Sequence, residues 1–503
     1  MILLARAASA ALLFGVTATA WATRGPPPCS TRSADAAPRR DEAYADYRTR
    51  VQREACVKPW TILVYMAADN DLGPYAFWDL YEMEAAFGEA TRRAGSTPQL
   101  DVVVQLDAPG AGGLARYHMF QGTRPFVTKR LEDFRRADFA SVESPLVETL
   151  PEANSADPAT LESFLAWGAE RYPSENLMVV LWGHGSGWSP KPRRHREGSD
   201  AKIAAGGIAF DDTSRDVMAV GSLAERLKDF VKNARGGRKI DVLSMDACLM
   251  QMAEVLTELA PTARYAVGTT DIQSHLGLPY RRLLWEMNKN SYLGLKRSAP
   301  PTADDAYLVA KMIPTLFKAS LNGGRSTQGR VDADSYKTLT SSSYHLGELE
   351  SELVRKALPQ LARALEAWML SDSIRTLDVR AVLGQMDARS YQGSAQDLGA
   401  FSSLVRQLLD RAEVDPGKFD RPTENLRKAL NDVDDALRRA VVATAFGSDY
   451  TKPGQDLFLL GYRGLSMWLP PNAEELRARY PDFSTSTLYR TTNWGQWLRR
   501  AYR

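Results

Sequence analysis

Three cysteines and five histidines are the scarce reactive residues of this 503-residue chain. One of each closes a short apolar run. Leu177-Met178-Val179-Val180-Leu181-Trp182 gives way to Gly183-His184-Gly185-Ser186-Gly187-Trp188. Ile240-Asp241-Val242-Leu243-Ser244-Met245 gives way to Asp246-Ala247-Cys248-Leu249-Met250. Runs of this length and composition read as buried strands. In an open α/β sheet, the carboxyl ends of the strands are where ligands gather. Two such strands side by side would bring Cys248 and His184 together. A Cys and a His that meet in space, far apart in sequence, form the pattern of a cysteine nucleophile and its base.

Each residue also has a plainer reading. A cysteine ending a buried strand is commonly a structural cysteine. Against that, the transition from this strand to a helix from Met250 to Leu259 places Cys248 near a helix N-terminus, which favours thiolate. His184 in its glycine-rich setting is either an incidental turn residue or a catalytic one. Glycines let backbone approach a substrate, so the N–H groups of Gly185 and Cys248 are candidate donors to an oxyanion. The other histidines (His118, His195, His275 and His345) show no metal-ligand spacing, and no zinc signature is present.

The flanking sequence supplies the elements that would hold these residues. Strand-like runs occur at 60–66, 100–106, 113–120, 207–210 and 265–268. Helix-like segments occur at 75–90, 160–171 and 222–231. This alternation predicts an α/β fold with a mainly parallel sheet and helices on both faces. Beyond about residue 300 the texture becomes helical, over 346–369, 401–414 and 423–446, with late strands at 457–460 and 464–470. The expected organisation is a core over 58–325 and a helical C-terminal region over 326–503.

Composition narrows the partners. Sixty-three basic residues balance 61 acidic ones, for a net charge of +2, so nothing global favours nucleic acid or an anionic membrane. Arg6, the apolar stretch 10–16 and Ala20-Trp21-Ala22 read as a secretory signal over 1–22, followed by a flexible extension over 23–57. No other segment is long and apolar enough to span a bilayer, so a secreted or periplasmic protein is expected. In an oxidising compartment, Cys29 with Cys56 is the economical disulfide, leaving Cys248 free; the alternative is that all three stay reduced. Residues 189–206 form an exposed basic loop carrying Arg193, Arg194, Arg196 and Lys202.

The two reactive stretches closely resemble the clostripain family of cysteine peptidases, which share the caspase–gingipain–legumain type of fold. The likeness extends to Trp60–Leu72, Gly207–Thr213, Asp397–Phe401 and Gly464–Pro470. It implies a caspase-like three-layer sandwich and a Cys–His dyad, with Cys248 as nucleophile and His184 as base and then acid. In proteins of this fold the histidine often serves mainly to protonate the leaving amine. The resemblance also implies endopeptidase cleavage after Arg or Lys, which demands a buried carboxylate. Asp246 matches the family's acid and lies on the same strand face as Cys248. Asp271 is the candidate second acid, at a point where the chain departs from the family's usual Ser-Glu-like sequence. Family members commonly cut themselves after the histidine strand, which makes Arg193, Arg194, Arg196 and Lys202 candidate processing sites. Calcium dependence in the family makes calcium a weak expectation, with no EF-hand-like loop to support it. Two rival readings share these residues: a silent binding protein on the same fold, and a cysteine amidohydrolase of a non-peptide amide.

Overall fold

The computed structural model describes residues 57–85, 94–97, 99–109, 113–122, 142–188, 206–288, 304–322, 333–387, 395–412, 420–451 and 461–503. The signal sequence, the Cys29–Cys56 pair, the strand expected at 457–460 and the basic processing sites all lie outside them.

Five apolar strands build the centre: β1 (Lys58–Ala67), β2 (Leu100–Asp107), β5 (Ser174–Trp182), β8 (Ile240–Asp246) and β9 (Ala263–Gly268). They run parallel in the spatial order β9-β8-β5-β1-β2. Beside β2 come antiparallel β3 (Gly113–His118) and β4 (Leu146–Pro151). Beside β9 come antiparallel β10 (Thr340–His345) and β12 (Val441–Phe446), giving a nine-stranded sheet among the described residues. Two small ribbons stand apart. One pairs β6 (Gly207–Asp211) with β7 (Asp216–Ala219), the other β11 (Ala395–Asp397) with β13 (Ser466–Trp468).

The period-two alternation of side chains sorts the core into two layers. Ile62, Val64, Met66, Met178, Val180 and Trp182 face the helices Gly73–Glu84, Tyr280–Asn288 and Asp305–Leu321. Leu63, Tyr65, Val179, Leu181, Leu243 and Met245 face the other way, onto Pro158–Arg171, Val220–Asn233 and Ala253–Leu259. The C-terminal helices, Leu358–Ser371, Arg421–Ala440 and Trp494–Ala501 among them, pack into this second layer. Near-continuous burial of both faces is what a parallel sheet between helices requires. The result is the three-layer α/β sandwich.

Three departures from the sequence reading have physical causes. Residues 441–446 are a strand, not the end of the 423–446 helix. Val441, Val442 and Thr444 are β-branched, and pairing with β10 outweighs continuation of the helical pattern. β10 itself went unread because Thr340-Ser341-Ser342-Ser343 shows no apolar period, although these four residues are buried. The helical C-terminal part therefore supplies two strands of the main sheet, and the sheet crosses the boundary placed at residue 325.

One buried acid ties the late ribbon to the core. Glu254 is 1% exposed and accepts the Trp468 N–H at 2.9 Å, while its Oε2 has no partner among the described residues. Burial pushes its carboxyl up to about 7, with the Trp468 N–H opposing. A carboxyl raised in the folded state contributes stability below its unfolded pKa and loses it as pH rises through about 7. Glu254→Gln keeps the acceptor and removes the charging cost. It should raise stability at pH 8 by about 2–3 kcal/mol and leave pH 4 unchanged, as read from urea melts at both pH values.

Candidate active site

The register of β5 against β8 sets the site. Trp182 pairs with Asp246 as the last rung of the parallel ladder. His184 and Cys248 each lie two residues beyond that rung, so the two strands deliver them level with one another. Both line a single cavity of about 50 Å³, together with Asp246, Gln273, His275 and Gly277. The packing between the two carriers is tight. A Cβ on Gly185 would fall 2.4 Å from the Cys248 carbonyl oxygen and 3.1 Å from its backbone nitrogen, so no larger residue fits there. Among the described residues, no other residue accepts a hydrogen bond from the Gly185 or Cys248 N–H. Both are available as the oxyanion donors expected from sequence.

Cys248 does not sit at a helix N-terminus. The following helix begins only at Ala253, after a sharp turn in which Leu249 adopts φ +63°. A left-handed leucine costs about 1–2 kcal/mol, and its N–H bond to the Asp271 carbonyl (3.3 Å) helps hold it. The thiol is consequently not electrostatically activated. Burial pushes it up to about 11; the Gln273 N–H, donating to Sγ at 3.2 Å, opposes this, and the charges of Asp271 and Asp246 add to it.

His184 has a partner that the sequence did not disclose. Its Nε2 lies 2.6 Å from Asp71 Oδ1, and its ring meets Phe210 edge-on at 5.8 Å. Asp71 belongs to the loop after β1, whose shape is fixed by Asn70 donating to the Ala67 and Phe210 carbonyls. The hydrogen bond to His184 is the main reason the Asp71 carboxyl is held low. The Asp71 side chain is 80% exposed, so the contact is worth about 1 kcal/mol. Asp71→Ala should lower kcat about fivefold and leave KM unchanged in steady-state assays. A loss as large as that of His184→Ala would assign Asp71 a far greater part.

Asp246 is 4% exposed and heavily engaged. It accepts from Leu278 N–H (3.0 Å), from the Tyr280 hydroxyl (2.8 Å) and from the Gln273 side-chain amide. Gly277, at φ +57°, turns the chain above it. A Cβ there would lie 2.9 Å from an oxygen of Asp246 and 2.9 Å from one of Asp79. Asp79, fully buried and accepting from Trp182 Nε1 at 2.7 Å, lies near Asp246 across Gly277 but, like Asp271, does not line the cavity. Asp271 does not line the cavity. Its carboxylate accepts from the Ile272 N–H (2.7 Å) and faces the Tyr450 hydroxyl (3.4 Å). Nothing local marks Asp71, Asp79 or Gln273 in the sequence, because their partners are distant along the chain.

A sheet with this strand arrangement, carrying a cysteine and a histidine at the carboxyl ends of adjacent parallel strands, defines a caspase-like sandwich. Solved structures share it. The inactive zymogen of a C11 protease from Parabacteroides distasonis aligns over 87% of this chain and 99% of its own, at 17% identity and TM-score 0.53. A secreted C11 cysteine protease from Bacteroides thetaiotaomicron, bound to an irreversible peptide inhibitor, aligns over 87% and 99%, at 18% identity and TM-score 0.51. Clostripain of Hathewaya histolytica is 26% identical over 333 residues, covering 60% of this chain and 55% of that protein. The chain belongs to the clostripain family, peptidase C11, whose profile matches residues 64–499.

Proposed function

We propose that this protein is a cysteine endopeptidase that cleaves after Arg or Lys, with Cys248 as nucleophile and His184 as proton carrier. The observation that supports it is the cavity in which Cys248 and His184 stand beside the buried carboxylate of Asp246. The P1 guanidinium or ammonium displaces the Gln273 amide and pairs with Asp246. The Cys248 thiol passes its proton to His184 as sulfur attacks the scissile carbonyl carbon. The developing oxyanion takes the Gly185 and Cys248 N–H groups. Collapse breaks the C–N bond, and His184 protonates the leaving amine. Water, deprotonated by His184, then hydrolyses the thioester and restores the thiol.

In the described chain the recognition acid is occupied, so a P1 cation must displace the Gln273 amide. Activation follows self-cleavage in the basic loop, at Arg193, Arg194, Arg196 or Lys202. The N-terminal signal directs the protein to the periplasm or the exterior, and its partners are peptides and proteins with a basic P1 residue. Among the described residues, no helix is long and apolar enough to cross a membrane.

The reading is tested with peptide amides carrying Arg, Lys or a neutral residue at P1, and with an Arg-P1 electrophile followed by mass spectrometry. Turnover confined to basic P1 and a label on Cys248 are expected. Turnover of neutral amides only, or a label elsewhere, would favour the amidohydrolase reading. N-terminal sequencing should find the 193–203 cut in wild type and not in Cys248→Ala. A single chain from both would remove self-processing.

A further inference from the structure

Trp188 and Gly206, the two described residues that flank the basic loop, line one cavity of about 380 Å³. That is within the roughly 300–1,000 Å³ that small-ligand sites occupy. Four acids line it as well: Glu225, Glu254, Glu258 and Asp482. They come from three separate helices, Val220–Asn233, Ala253–Leu259 and Ala473–Phe483. Lys228 and Arg490 stand at its exposed rim. Among the described residues, no Lys, Arg or His pairs with the four acids, and two of their oxygens, Glu254 Oε2 and Asp482 Oδ2, are buried without a hydrogen-bond partner.

Glu254 carries the larger cost. It is 1% exposed, and its other oxygen accepts the Trp468 N–H at 2.9 Å. Burial pushes its carboxyl up to about 7, and only backbone N–H groups, those of Trp468 and of Glu254 itself, oppose this. Glu258 is fixed by the Thr487 N–H and hydroxyl, at 2.8 and 2.9 Å. Trp188, packed on Trp468 and Phe483, adds an apolar wall. A buried carboxylate without a cation is costly to ionise, and a cation entering beside it would offset that cost. The cavity thus suits a small cation with apolar neighbours.

We infer, on the basis of the self-processing proposed above, that this cavity receives the N-terminus created by cleavage after Lys202, with its ammonium paired to Glu254. Hydrolysis of the Lys202–Ile203 bond consumes one water and leaves a carboxylate on Lys202 and an ammonium on Ile203. Three uncharged residues, Ile203-Ala204-Ala205, then precede Gly206. Three peptide units reach about 10 Å, and Gly206 already lines the cavity. Cuts after Arg193, Arg194 or Arg196 would leave tails that still carry Glu197, Asp200 and Lys202, which are ill suited to a buried seat. The terminus also has a route to His184. Gly207 and Ser186 exchange two hydrogen bonds, at 2.9 and 3.0 Å, and the Ala209 N–H donates to the His184 carbonyl at 3.1 Å. A terminus anchored at Glu254 fixes the start of β6, and with it the loop that carries His184.

The test uses the full chain as Cys248→Ala, with residues 198–202 replaced by the recognition sequence of an unrelated protease that cuts before Ile203. The cut is then independent of self-processing. At pH 8, cutting should raise the melting temperature by several degrees. The Ile203 α-amine should react with acetic anhydride about tenfold more slowly than in the cut Glu254→Gln chain. Glu254→Gln should change sign between the two forms. It should raise the melting temperature of the uncut chain, where the charge has no cation, and lower that of the cut chain, where it removes the pair. Ile203→Glu, which brings a further carboxylate to the acids, should cancel the rise on cutting. Docking is overturned if the Ile203 amine labels equally fast with Glu254 and with Gln, or if Glu254→Gln acts in the same direction in both forms. Self-processing and docking fail separately: a wild-type chain that stays whole removes the first, while the foreign cut still decides the second.

Discussion

Cys248→Ala should lower kcat/KM on Arg-P1 amides by about 10⁴-fold or more, leaving only the residual rate that binding and the oxyanion donors support. His184→Ala should fall nearly as far, and the double variant no further, because residues that act as one unit do not add. The demand on His184 is greater here than it would be for a preformed thiolate. With its pKa pushed to about 11, Cys248 is ionised in only about one part in ten thousand at pH 7 in the described form. Attack therefore needs a group to receive the proton, and His184 is the imidazole in the same cavity as the thiol that also carries a carboxylate partner in Asp71. The same feature gives a second measurement on the uncut chain. Iodoacetamide labelling of Cys248, followed by mass spectrometry, should accelerate about tenfold per pH unit between pH 7 and 10. A rate flat across that range would mean that the thiolate is already present, and His184 would then be needed only for the leaving amine.

Asp246→Asn should separate recognition from chemistry. Asn keeps the shape of Asp246 and can still accept from Leu278 N–H and the Tyr280 hydroxyl, so the fold should persist. What it removes is the charge proposed to pair with a P1 cation in a desolvated pocket. Truncating one partner of such a pair costs about 2–5 kcal/mol, or roughly 30- to several-thousand-fold in kcat/KM. Neutral-P1 amides should change less than about threefold, and Arg and Lys substrates should lose their advantage over them. An equal loss for every P1 residue would show that Asp246 supports Cys248 structurally and does not choose the substrate. Asp79, on the other side of Gly277, is the residue to examine if a basic preference survives.

How much of this was legible in the sequence depends on distance along the chain. The parallel core was legible because each strand is a run of contiguous apolar residues with its own turn signals. The meeting of His184 and Cys248 was legible because both lie two residues past an equivalent strand end, and the clostripain resemblance is borne out over residues 64–499. β10 was hidden because its buried face is serine, and β12 because its β-branched residues follow a strong helical pattern without a break. Asp71 reaches His184 across 113 positions and Asp79 reaches Trp182 across 103, so no local pattern announces either. The helix expected to activate Cys248 starts too late, since the left-handed turn at Leu249 intervenes. Asp271, chosen by its place after β9, is turned towards Tyr450.

The β5–β8 rung that aligns the two reactive residues also divides the chain. Everything up to β5 precedes the basic loop, and everything from β6 onward follows it. Of the nine strands, β1 to β5 belong to the first portion and β8, β9, β10 and β12 to the second. Severing the loop would place His184 and Cys248 on different polypeptides, joined by the hydrogen-bonded seam from Met178–Val242 to Trp182–Asp246, by bonds such as Asn70 to the Phe210 carbonyl and Ser155 N–H to Asp211, and by the helices packed across it. The product would migrate as two bands under denaturing conditions and as one particle without denaturant. Its active site would be a subunit interface, and conditions that part the halves would end activity without breaking another bond.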